Sequence, residues 1–120
     1  MIIQEGTNTI LQYLQYGACL LTIVSGLFAL FAPERAVSLT GLVPQGGRGR
    51  TEIRCIMGAL YIALGVTPFF LGEAAFTMLG IAYLAISIVR LVSIFIDKSA
   101  SSSNWGSFAL ELVLGVILVL

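Results

Sequence analysis

Arg90 stands inside the run AISIVRLVSIFID (85–97), where every neighbour within four residues is apolar or small. Glu111 stands in the similar run SFALELVLG (107–115). A guanidinium and a carboxylate in such surroundings can do one of three things. They can clamp two helices as an ion pair, hold the polar head of a ligand, or carry a proton. Arg90 lies seven residues before Asp97, and Glu111 seven after Asn104. If the two runs are antiparallel helices joined through DKSASSSN (97–104), both charges sit at similar depth, roughly 10 Å below the turn. An Arg alone at mid-helix costs about 2.5–3.5 kcal/mol on insertion scales, so a partner or a route to water is expected.

Spacing groups other polar and small residues with the pair. Tyr83, Ser87 and Arg90 follow i, i+4, i+7, as do Phe108, Glu111 and Gly115. Arg54, Gly58, Tyr61, Gly65 and Pro68 make a comparable stripe, and so do Gln12, Gln15, Cys19, Thr22 and Gly26. Small residues such as Gly115 let a neighbouring membrane helix come close. Arg54, Tyr61 and Tyr83 are therefore expected either to pack in the bundle or, with Arg90 and Glu111, to line a ligand pocket. Trp105, Arg35 and Lys98 read as interface anchors, and Glu52 as a solvated neighbour of Arg54.

Other chemistry finds few residues to use. The chain has no histidine, the commonest metal ligand, and only two cysteines, Cys19 and Cys55, with no CxxC pair. Their depths differ by roughly 15 Å along the helices, too far for a disulfide, and both read as buried small residues. No catalytic or metal-binding residue is expected, and the chain does not read as an enzyme. The run GGRGR (46–50) lacks the spacing of a phosphate loop. It is expected to be a flexible basic loop touching anionic lipid heads.

These residues need elements to position them. Of 120 residues, 58% are hydrophobic and 10% charged, against about 25% charged in a soluble domain. The apolar surplus cannot be hidden in one small core, and a bilayer is the solvent that accepts it. Four apolar runs, 10–31, 53–71, 74–96 and 105–120, predict an all-α integral membrane four-helix bundle forming a single domain. The first three reach roughly 28–35 Å and the fourth about 24 Å, which calls for thinner bilayer around it or a terminal carboxylate lying at the interface. APERAVSLTGL (32–42) predicts a short interfacial helix from Pro33 to Gly41, Pro68 a kink late in the second span, and the serines of 99–103 a flexible connection. No Lys or Arg precedes the first run, so that run is expected to be a retained span.

Arg35, Arg48, Arg50, Arg54, Arg90 and Lys98 all lie in or toward the two longer loops, whereas the opposite face has Glu5 and Glu73. By the positive-inside rule the loops are cytoplasmic and both termini outside. Six basic residues balance six acidic ones, so no nucleic-acid surface is expected.

The segment TEIRCIMGALYIALG (51–65), the Arg of AISIVRLVSIFID and LELVLG (110–115) together resemble an uncharacterised bacterial four-span family of the domain-of-unknown-function class. That family is similar in plan to DoxX-like proteins. The resemblance covers about 33–120 and implies that Glu52, Arg54, Gly58, Arg90 and Glu111 occupy its recurring positions; the turn after the third-span Arg is DKS here, without glycine. DoxX-like proteins suggest membrane redox or quinone-linked roles. The leading expectation is a non-catalytic accessory subunit of a respiratory or photosynthetic complex in a bacterial inner membrane, partnered by the bilayer and other integral subunits. No cofactor is expected beyond a bound lipid or quinone, and a lipid- or quinone-binding protein is the alternative. A small transporter comes third, because the first span carries Gln12 and Gln15 but no acid.

Overall fold

The computed structural model describes residues 5–38 and 40–120, and among them there is no strand. Helix α1 spans Glu5–Phe31 and is followed by the short α2, Pro33–Ala36. A second rod runs through α3 (Gly46–Glu52), a π-helical stretch (Ile53–Ala59), α4 (Leu60–Val66) and α5 (Pro68–Leu71). Helices α6 (Glu73–Ile96) and α7 (Ser102–Val119) complete the chain. Among the described residues, four helices are long and apolar enough to cross a membrane: Thr9–Phe31, Gly46–Leu71, Glu73–Ile96 and Ser102–Val119. This is the pattern of a multi-pass membrane protein. Large apolar side chains stand exposed on every one of them, among them Val24, Phe70, Val89 and Val113, as a lipid-facing surface requires.

The described residues form two compact units, one of those up to 18 with 72–120 and one of those within 19–71. In the second unit, glycines set the approach of α1 to the rod. A Cβ on Gly26 would stand 2.7 Å from the Gly58 carbonyl oxygen, and one on Gly65 2.8 Å from that of Cys19. Ile53 and Gly58 are both buried, although an α-helix would turn residues five apart by about 140°. The π-helical stretch removes that offset: its i→i+5 bonds, such as Leu60 N–H to the Cys55 carbonyl, bring residues five apart close to one side. Gly58 then meets the backbone of Leu30, and Ile53 packs with Ala29 and Val37.

Three expectations about connections change. GGRGR is helical rather than a loop, because Arg48 pairs with Glu52 at 3.0 Å one turn on and Gly49 sits against Pro44. The interfacial helix is only one turn long, and Gly41 ends the following turn at φ +85°. The serine linker is a bonded turn, with Ser101 Oγ accepting the Asn104 N–H as the N-cap of α7 at 3.2 Å. On its other side, Lys98 takes φ +51° and Ser99 N–H reaches the Ile94 carbonyl at 3.0 Å, closing α6 as a Schellman turn without glycine. Ser102 thereby joins the last helix, lengthening that span to roughly 27 Å. Pro68 does interrupt its rod where expected, just after Thr67.

In the first unit α6 and α7 lie antiparallel. A Cβ on Gly80 would stand 2.8 Å from Leu118 Cβ and 3.0 Å from the Gly115 carbonyl oxygen. The start of α1 joins them: Gln15 Nε2 donates to the Ile117 carbonyl at 3.0 Å, and Tyr16 meets the Phe76 ring at 5.7 Å. The α6–α7 contact generates a test. Gly80→Ala should lower stability in detergent by about 1–3 kcal/mol. Gly17→Ala, with nothing within 4 Å of the new methyl, should not; thermal unfolding of both variants reads the contrast.

Candidate functional site

Arg90 sits about two turns before the end of α6, and Glu111 at the middle of α7. The antiparallel packing carries them to one level. Arg90 Nε donates to Glu111 Oε1 at 2.7 Å and Nη2 to Oε2 at 2.8 Å, a fork in which both carboxylate oxygens are used. Nη1 donates to Asn104 Oδ1 at 2.9 Å. Asn104 is itself fixed, its Nδ2 donating to the Ser99 carbonyl at 3.0 Å and to Ser99 Oγ at 3.1 Å. The clamp therefore ties α6, the turn and α7 into one bonded set.

Its setting is largely apolar. The Glu111 side chain is 15% exposed and that of Arg90 32%. The neighbouring Ser87 hydroxyl is buried and donates to the Leu84 carbonyl at 2.8 Å. At this depth a charge pair persists only with good geometry and its remaining polar capacity filled, and the fork meets both conditions. All three guanidinium nitrogens donate within the clamp. A proton relay through this pair would have to break the two bonds of the fork.

The other site residues fall as follows. Tyr83 is half-buried on α6, two turns before Arg90. Arg54 and Tyr61 belong to the second unit, Arg54 exposed on the π-helical stretch and Tyr61 half-buried at the start of α4. Trp105 is exposed on the first turn of α7 and packs edge-on to Phe95 at 6.2 Å and Phe108 at 5.9 Å, a cluster suited to a membrane interface. Arg35 is exposed on the one-turn α2, and Lys98 is exposed at the turn after α6. Cys19 is buried as expected, but Cys55 is exposed because the π-helical stretch turns it outward. Among the described residues, no group of three or more His, Cys, Asp and Glu is placed to hold a metal ion.

Asn104 escaped the sequence reading as a member of the site, although it lies seven residues before Glu111 and so on the same face of α7. The buried Gln15 amide was placed in an inward stripe, but nothing in its spacing named the Ile117 carbonyl as its partner.

Three outcomes test the clamp. Arg90→Leu should destabilise by about 3 kcal/mol, the low end for a buried pair because a third of the Arg90 side chain is open. Arg90→Leu with Glu111→Leu should accumulate better than Arg90→Leu alone, since no carboxylate is left unpaired; quantitative blotting of membranes reads this. Asn104→Ala should cost about 1–3 kcal/mol by leaving one guanidinium nitrogen without its acceptor, read by thermal unfolding.

The sequence profile of a domain of unknown function (DUF4345) matches residues 10–120, so the likeness carried by the second to fourth spans extends through the first. No curated protein and no solved structure matches the chain.

Proposed function

Because the chain belongs to the DUF4345 family, whose description carries no reaction, we propose a role from its own residues: a small, non-catalytic accessory subunit of a larger membrane assembly. The observation that carries this reading is that the clamp binds the chain to itself. The strongest ionic constellation within the spans spends its donors and acceptors on holding α6, its turn and α7 together. A group committed in this way serves register and rigidity, which a packing subunit needs. It leaves little capacity for binding the head of a quinone.

The exposed apolar faces of the spans support the same role, since lipid and neighbouring transmembrane helices both accept such surfaces. The assembly we have in mind is a respiratory or photosynthetic complex of a bacterial inner membrane. The basic residues of the two longer loops argue for those loops facing the cytoplasm.

The test is purification of the full chain from native membranes in mild detergent. Integral membrane partners at fixed stoichiometry are the expected result. A stable isolated chain from which a quinone is extracted would replace this reading with the ligand-binding one.

A further inference from the structure

We propose that the arginine-rich end of the second unit, built from Arg35, Arg48, Arg50 and Arg54, is a binding surface for the headgroups of anionic phospholipids. The idea is independent of the accessory role and of any partner complex.

The surface is assembled from two segments by three observations. Val37, just after α2, is buried with Ala29 and Ile53, which fixes the segment carrying Arg35 against the first residue of the π-helical stretch. Glu34 of α2 reaches Arg50 of α3 at 3.5 Å, adding a polar tie between the same segments. GGRGR is wound into α3, so Arg50 and Arg54 follow one another at a turn's spacing rather than on a loose loop.

The charges then fail to cancel. Glu34 takes Arg50 and Glu52 takes Arg48, so both acids of this surface are engaged. Arg35 and Arg54 are exposed and have no acidic partner among the described residues. Two open guanidinium groups are left, one on α2 and one on the π-helical stretch. Arg54 stands where the polar α3 gives way to apolar chain, next to the buried Ile53, which places it at headgroup level. Just beyond, Ile56 and Leu60 are large, apolar and exposed, and acyl chains can lie against them. Planar guanidinium groups match phosphate oxygens in pairs, and a phosphodiester with two tails offers both halves of this arrangement.

In the test, the full chain in a neutral detergent is titrated with phosphatidylglycerol, with phosphatidylcholine and with inorganic phosphate while its unfolding temperature is followed. Phosphatidylglycerol should stabilise it more than phosphatidylcholine, and inorganic phosphate should not reproduce the effect, because it has no tails to sit on Ile56 and Leu60. Arg35→Gln with Arg54→Gln should weaken the apparent affinity for phosphatidylglycerol about fivefold for each arginine removed, whereas Lys98→Gln should leave it unchanged. If the double variant does not fold, the wild-type chain at high salt decides: the preference should fade with ionic strength, as exposed charges are screened. Equal stabilisation by the two lipids, or a preference that survives high salt, would overturn the proposal. So would a preference unchanged in the double variant, and stabilisation by inorganic phosphate as strong as by phosphatidylglycerol would reassign the surface to a soluble anion.

Discussion

A hydrocarbon interior offers no water to a polar group, so whatever a span carries there must be answered from within the protein. Among the described residues no buried side-chain nitrogen or oxygen lacks a hydrogen-bond partner. The Arg90–Glu111–Asn104 clamp is the most demanding instance, a cation and an anion joined by two bonds and steadied by an amide bound to the turn. Smaller cases follow the same constraint. Gln15 donates to a carbonyl of α7, Ser87 to one of its own helix, and Thr67 to the carbonyl of Ala63 just before the rod is interrupted at Pro68.

The apolar packing obeys a different rule. Lipid tails are as greasy as leucine, so burying leucine drives helices together weakly in a membrane, and close backbone approach becomes the stronger source of attraction. Gly26, Gly58 and Gly65 supply that approach in one unit, Gly80 and Gly115 in the other. The π-helical stretch belongs to this logic. It reconciles Ile53 and Gly58, five residues apart, with a single buried side, at the expense of turning Cys55 outward.

Polar satisfaction and glycine contact reinforce each other between α6 and α7. Glycine contact at Gly80 and Gly115 sets how near the helices come, and the clamp sets their register along the axis. The bonded turn shortens the path between them. Ser99 and Ser101 take part in both helix termination and helix initiation, and Asn104 links that turn to the charge pair.

Composition and periodicity alone determined the helical class, the four apolar spans and the inward glycine stripes, because each depends only on local chain and solvent. Depth matching also brought Arg90 and Glu111 to one level, since a short connection between antiparallel helices leaves little freedom. The sequence could not decide that the two charges face each other, because rotation of a helix about its axis is set by its neighbours. Nor could it reveal that Asn104 completes the clamp, that Gly80 meets Gly115, or that GGRGR winds into a helix against its glycine content. The clamp and the glycine contact rest on contacts between helices, and the GGRGR helix on pairings its composition does not show, Arg48 with Glu52 and Arg50 with Glu34. Tertiary packing decided them, by outweighing the local preferences from which a sequence is read.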